Sequence, residues 1–438
     1  MRAHRPAVGF IFVTLLLDVL GFGLLIPVGP RLVMSLLNNG TGGTEQQAAN
    51  IVGILMAIYA TMQFFFAPVL GALSDHFGRR PVLLVALFGS GLDYFAMALA
   101  PSMSILFVTR AINGLSGASM TVANAYIADS TPPEKRAAGF GMVGAAFGLG
   151  FILGPLIGGL LGKIDIRLPF YVAGGITLLN WLYGYFVLPE SLAPQSRAKF
   201  TLARANPFVI MAGVGRYPLV AGLAVAFFLM YLAMFGLHAT WVLYTMHRYH
   251  WSSFDVGLSL ALVGVGAAVV QAGLARKLIP ALGERRSLLF GVTLGALTYV
   301  GYGLAPQGWM IYAIIVLGSI GGIAQPAGQS LITKSVRPDE QGAIQGALTS
   351  LQCVAQIIGP LIGTAVFSYF ISDHAPFGGD LPGASFILGG IFCGIGSIIA
   401  AVVTNRHMPR TAIPDPSLAE AAEEIIHPHP HPHAPGHD

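Results

Sequence analysis

The sequence predicts an all-α integral membrane protein, with twelve transmembrane helices in two six-helix, pseudo-symmetric halves. Three observations predict it. Only 10% of the 438 residues are charged and 55% are hydrophobic, with a mean hydropathy of +0.71. A soluble domain carries about 25% charged residues, so lipid must cover much of this surface. Second, apolar stretches of about 20 residues, the length that crosses a bilayer, recur along the whole chain. Third, features recur at one spacing. GPLIG stands at Gly154–Gly158 and again at Gly359–Gly363, 205 positions on. Pro133-Glu134 and Pro338-Asp339 are also 205 apart, and Gly78-Arg79-Arg80 aligns with Glu284-Arg285-Arg286 at 206.

The apolar stretches are about 9–36, 48–74, 80–100, 104–128, 138–162, 168–188, 218–246, 254–278, 287–305, 308–332, 342–370 and 384–405. The first is too long for a signal peptide, contains Asp18 and lacks a small-residue cleavage site, so it reads as a retained span. Loop charges set the orientation. Arg79, Arg80, Lys135, Arg136, Arg197, Arg285, Arg286, Lys334, Arg337 and Arg406 share one side, while Arg31, Lys163, Arg167 and Arg248 fall on the other. The positive-inside rule makes the first side, with both termini, cytoplasmic. Residues 1–189 form the first half and 217–405 the second. Residues 190–216 are a basic cytoplasmic linker, and 406–438 a disordered tail rich in histidine and proline. The alternation of proline with His427, His429, His431 and His433 keeps that tail extended, and no metal site is expected of it. Cys353 and Cys393 both lie in spans and suggest no disulfide framework. There is no nucleotide-binding loop, zinc motif or nucleophile triad, and no nucleic-acid partner is expected.

Several motifs carry mechanism. In GALSDHFGRRP, between spans two and three, Gly71 and Gly78 permit close approach and positive φ, and Asp75 can pair with Arg79 or Arg80. A breakable latch at that joint would favour one conformation of the helix bundle. Asp129, with Arg136 beyond it, reads as a further ionic lock with the loop arginines. Arg110 lies inside span four, where a cation costs a few kcal/mol unless it faces a cavity or partner. Gly114 supplies a small-residue packing face. Gly150, Gly154, Pro155, Gly158 and Gly159 in span five, echoed by Gly359 and Pro360 in span eleven, break helix hydrogen bonding while letting neighbours approach. They suit a helix that packs closely and pivots, or one that only packs.

Two acids, Asp18 and Asp93, lie within spans. A carboxylate in an apolar site favours its protonated form, so it can take up and release a proton as a site opens and closes. Permanent pairing with Arg110 is the other reading. The substrate cavity is expected to be lined by Phe22, Gln63, Tyr94, Asn113, His238, Gln271, Gln325, Gln329, Gln352 and Gln356. These are aromatic or neutral polar groups, suited to a planar or amphiphilic organic ligand. For each glutamine, a role joining helices is equally open, as is a packed role for His238.

Together LDVLGFGLLIPVGP, YATMQFFFAPVLGALSDHFGRRPVLL, SGLDYFAMA, ANAYIADSTPPEKRA and GAAFGLGFILGPLIGG resemble the major facilitator superfamily. They are most similar to its drug:proton antiporter branch, the tetracycline resistance efflux proteins. VQAGLARKLIPALGERRSLLFG and DEQGAIQGALTSL continue the likeness. The resemblance implies the major facilitator fold, alternating access, a bacterial inner-membrane monomer, and drug export driven by the proton gradient without any cofactor. It implies proton coupling at Asp18 and Asp93, and it ties the span-five motif to exchangers and exporters. Two positions depart from it: Ala267 and Gly295 stand where relatives carry an ionisable histidine and aspartate, so recognition of a metal–tetracycline chelate is not expected. A metabolite symporter on the same fold and a non-transporting membrane sensor are the competing expectations.

Overall fold

The computed structural model describes residues 8–116, 119–130, 136–193, 195, 197, 215–337, 340–373, 375 and 380–407. The predicted tail and most of the predicted linker lie outside them, as do Pro133-Glu134 and Pro338-Asp339.

The first half holds α1 (Val8–Leu25), α2 (Gly29–Leu36), α3 (Glu45–Phe77), α4 (Arg79–Leu99), α5 (Met103–Ser116), α6 (Ser119–Ser130), α7 (Arg136–Ile164) and α8 (Leu168–Val187). The second holds α9 (Pro218–Tyr249), α10 (Ser253–Val269), α11 (Ala275–Leu282), α12 (Glu284–Leu304), α13 (Gly308–Ser319), α14 (Ala324–Ser335), α15 (Gln341–Phe370) and α16 (Ala384–His407). Among the described residues, eight helical segments, with α13 and α14 counted as one, are long and apolar enough to cross a membrane, and nine if α1 and α2 are one span. Those two meet at 45°, because Pro27 has no N–H to continue the helix and Pro30 restarts it. The stretches predicted at 104–128, 168–188 and 254–278 are α5 with α6, the 20-residue α8, and α10 running through a π turn, Val270–Leu274, into α11. The outer faces are apolar: Val85 is 72% exposed, Ile164 77% and Phe186 75%. Water would oppose such a belt, and lipid accepts it.

Where the halves meet decides what the bundle can do. At the end carrying Arg31, one apolar core runs through both halves, joining Leu25, Leu32, Leu55 and Phe170 to Trp241, Tyr244, Leu260 and Phe367. At the end carrying Arg79 the core divides. Leu83, Leu87, Tyr126 and Leu188 cluster in the first half, and Leu223, Leu288, Leu331 and Ile344 in the second. Hydrogen bonds across the Arg31 end reinforce the join: Arg31 donates to the Trp251 carbonyl at 2.9 Å, and Asn50 to Ser368 Oγ at 3.2 Å. On α7, Gly144 and Gly148 face open space, whereas Gly150 through Gly162 are packed. The two halves are closed on one another at the Arg31 end and parted at the other.

The GPLIG repeats lie at these contacts. Both helices continue through their prolines, so the predicted break is no interruption of α7 or α15. Gly154 packs on Gly23, and Gly158 against the Leu24 carbonyl, seating α7 on α1. Gly359 and Gly363 seat α15 on α9 in the same way, against Leu232, Phe235 and Gly236. Each proline carbonyl then abuts a glycine of the opposite half: Pro155 on Gly257, and Pro360 on Gly53.

The structure corrects the predicted register of the loop motif. Gly78 (φ +106°) and Gly283 (φ +81°) are the matching turns, 205 positions apart like GPLIG. The matched residue to Arg79 is therefore Glu284, a reversal of charge. The earlier glycine, Gly71, lies inside α3, where its carbonyl accepts from Ser74 Oγ at 2.7 Å. Of Gly71 and Gly78, Gly78 alone needs a conformation that L-residues avoid.

Candidate functional site

A polar cluster lies inside the first half, assembled by α1, α3, α4 and α5. Asp93 on α4 is only 4% exposed. Its Oδ2 accepts from Asn113 Nδ2 at 2.8 Å, while Oδ1 is buried without a hydrogen-bond partner among the described residues. The Arg110 guanidinium, one turn before Asn113 on α5, acts electrostatically on Asp93 and on Tyr59 and Tyr94. Asp18 is partly buried and acts on the same two tyrosines, and Gln63 hydrogen-bonds the Tyr59 hydroxyl. Asp18, Gln63, Asp93, Tyr94, Arg110 and Asn113 thus form one electrostatically coupled cluster, with Tyr59 at its centre. Tyr59 was missed in the sequence. Its signal was the spacing to Gln63, four residues on along α3, which stacks two polar groups on one helix face.

Above this cluster lies a cavity of about 310 Å³ between the halves. Of the predicted groups, Phe22, Arg110, His238 and Gln356 line it, joined by Tyr59, Phe151, Phe235 and Trp241. Arg110 is the bridge, since its charge acts on buried Asp93 while its side chain lines the cavity. A second cavity of about 340 Å³ lies in the second half and includes Gln325, His238 and Gly295 in its wall. Gln271 sits exposed in the π turn after α10. Gln329 and Gln352 are partly exposed on α14 and α15. None of these three is among the described residues lining either cavity, and Tyr94, Gln63 and Asn113 stand behind the wall. Ala267 is exposed, and a Cβ at Gly295 would meet only open space.

The joint between α3 and α4 is an ionic knot. Arg79 is 8% exposed and pairs with Asp75 at 2.6 Å and with Asp129 of α6 at 2.9 Å. The Arg80 guanidinium pairs with no carboxylate among the described residues. It donates to the Tyr185 carbonyl at 2.6 Å and lies over that residue's ring. Glu190, just after α8, receives the backbone N–H groups of Arg79 and Arg80 at 2.8 and 3.3 Å. A carboxylate at a helix N-terminus is stabilising, and this one ties α8 to α4. A Cβ on Gly78 would collide with Glu190. The side chain of Arg136 lies outside the described residues. In the second half Glu284 pairs with Lys334 at 2.7 Å and accepts from Ser330. Arg79–Asp129 and Glu284–Lys334 have the same sequence separation, 50 residues, so the second half carries the first half's bridge with its charges exchanged. Matching residue types does not reveal it, because at both positions the charge is reversed.

This bridge yields a first prediction. Arg79→Gln strands Asp129 and the buried end of the joint, and is expected to destabilise the protein by about 1–3 kcal/mol. Exchanging the exposed pair, Glu284→Lys with Lys334→Glu, is expected to cost under about 1 kcal/mol. Thermal unfolding in detergent, followed by tryptophan fluorescence, distinguishes the two. Equal losses would remove the distinction between a buried and an exposed bridge.

Two halves of helices, a cavity between them and an intramembrane carboxylate behind its wall define a secondary transporter. The chain belongs to the Major Facilitator Superfamily, whose profile matches residues 11–360, and it is not an enzyme. It is 41% identical over 355 residues to the tetracycline resistance protein, class C, of Escherichia coli, covering 81% of this chain and 88% of that one. It is 40% identical over 352 residues to the class G protein of Vibrio anguillarum, covering 80% and 88%. Among solved structures, the human organic anion transporter MFSD10 (TETRAN) matches with a TM-score of 0.67 at 25% identity, covering 91% of this chain and all of that one. A bacterial homolog of the human lysosomal transporter Spinster, in an inward-facing and unoccupied conformation, matches in fold with a TM-score of 0.74 at 16% identity, covering 95% and 100%.

Proposed function

We propose that this chain is a proton-coupled exporter of a small amphiphilic organic compound, working by alternating access in a bacterial plasma membrane. The observation that carries the reading is Asp93: buried, bonded through one oxygen, open at the other, and coupled to an arginine in the cavity wall. A proton added to Oδ1 removes a charge that an apolar surrounding disfavours, and it releases Arg110 from that charge. Proton uptake and cavity electrostatics are then one event. Asp18 acts with Asp93 through the shared tyrosines.

With the basic side taken as cytoplasmic, the described conformation opens inward. In the cycle, substrate enters the cavity between the halves from that side. The halves rock over the Pro155–Gly257 and Pro360–Gly53 contacts. Protons taken up from outside by Asp18 and Asp93 displace the substrate, and deprotonation towards the cytoplasm resets the carrier. The apolar cavity, with one cation and a few neutral polar groups, suits an amphiphile better than a highly charged metabolite. The relatives' names suggest tetracyclines, but Ala267 and Gly295 favour a ligand that needs no second-half acid.

The test is substrate-dependent proton movement in proteoliposomes, across tetracyclines, fluoroquinolones, phenicols and cationic dyes. Protons moving opposite to substrate support the exporter, protons moving with it mean a symporter, and none means a sensor. Proton-driven export that survives Asp18→Asn together with Asp93→Asn would remove the core of the proposal.

A further inference from the structure

The second cavity belongs almost wholly to the C-terminal half. α9, α10, α12, α13, α14 and α16 line it, and among the described lining residues only Phe151 comes from the other half. None of its described lining residues is Asp, Glu, Lys or Arg. Its walls are aromatic and thioether: Phe227, Tyr231, Tyr299, Tyr302, Met230 and Met234. Such groups present flat and adaptable apolar surface. Polar contact is confined to a few neutral groups. Gln325 hydrogen-bonds Tyr231, and Thr298 and Ser319 stand in the wall.

Two features make this more than loose packing. Around Gly291, Gly318 and Gly321 the helices are tight, since a Cβ at any of these would press on a neighbour, yet one at Gly295 would meet nothing. The space is therefore local. Phe151, His238, Trp241 and Leu260 line this cavity and the central one alike. A molecule between the halves has the second space directly behind those four side chains.

We infer that this chamber is a second binding site, taking an uncharged planar aromatic molecule through the wall formed by His238 and Trp241. Its volume is at the lower end of the ~300–1,000 Å³ typical of ligand pockets. No lining carboxylate or ammonium offsets the desolvation of an ion, and a cation would have only ring faces to do so, so the uncharged molecule is expected to bind better. Gln325 and Ser319 offer a ring carbonyl or ring N–H its hydrogen bonds. The inference stands on the chamber's shape and lining, and not on proton coupling or export.

The test uses Gly295→Cys in a chain that also carries Cys353→Ser and Cys393→Ser, purified in lipid nanodiscs. Alkylation by N-ethylmaleimide is followed by mass spectrometry, with thermal unfolding as the check on folding. The probes are acridone, an uncharged planar tricycle, and N-methylacridinium, a cation of similar shape. Acridone at about ten times its dissociation constant is expected to slow alkylation roughly tenfold, and N-methylacridinium is expected to leave it unchanged. Removing Gln325's amide with Gln325→Ala should weaken the protection. Equal protection by the cation would overturn the inference, as would no protection by acridone, or a folded Gly295→Cys protein that is never alkylated. If that variant does not fold, acridone fluorescence on the unaltered chain and on Gly295→Leu gives the same decision. Binding lost in Gly295→Leu supports the chamber, and undiminished binding refutes it. Neither readout depends on transport, so failure here leaves the exporter reading open, and the reverse.

Discussion

Asp93→Asn is expected to abolish proton-driven transport while leaving a folded protein. Asparagine keeps the size of the side chain and an oxygen to accept from Asn113, and it removes a buried charge, which costs nothing in stability and can gain. What it removes is the only chemistry that position supplies, the gain and loss of a proton. Uptake against a pH gradient in inside-out vesicles should fall to that of empty vesicles. Exchange of labelled for unlabelled substrate without a gradient should continue, because the cavity wall, including Arg110, is intact. Asn113→Ala should have a smaller effect, since it removes a positioning hydrogen bond and not the proton site. Gradient-driven uptake at the unaltered rate in Asp93→Asn would end the assignment of coupling to this residue.

The second large effect is expected at the glycines that carry the opposite half's proline. At Gly257 a Cβ would overlap the Pro155 carbonyl oxygen, and at Gly53 it would overlap Thr364 Oγ1 and stand 3.2 Å from the Pro360 oxygen. Leucine at either position cannot be accommodated while the Arg31 end is closed. Overpacking of this kind costs about 1–3 kcal/mol, and about 1.4 kcal/mol is a tenfold change in an equilibrium constant. Gly257→Leu should therefore shift the population by roughly five- to a hundredfold towards conformers parted at that end. Electron-resonance distances between spin labels at Thr41 and Asp373, in a chain with Cys353→Ser and Cys393→Ser, should lengthen, and transport should drop in step. An unchanged distance in a folded, inactive variant would mean that the contact is packing and not a pivot.

Both predictions use residues whose significance differs in how it could be read from the chain. Asp93 announces itself: a carboxylate in an apolar run is expensive, and expensive residues are few. Gly257 does not. It is one of 56 glycines, and nothing local marks it as the seat of a proline carbonyl. Arg79 and Asp75 were legible as a possible pair because they are four residues apart on one chain turn. Asp129 was legible as a lock with the loop arginines, but its choice of Arg79 and the cap from Glu190 were not, because their separations are 50 and 111 residues. Of the predicted glutamines, Gln325 and Gln356 meet cavities and Gln271 does not. A polar residue in a span says that some partner is needed, and leaves open whether that partner is a cavity, a helix or the interface.

The sequence by itself determined the class of this protein. Span length and low charge follow from what a bilayer accepts, which acts on each segment separately, and the 205-residue repeat is visible by laying the chain against itself. Only the tertiary structure decided the state and the site. Which end of the bundle is closed, which proline meets which glycine, and that two cavities share a wall at His238 and Trp241 depend on contacts between residues far apart in the chain. Their energy comes from packing shape, which no single segment encodes.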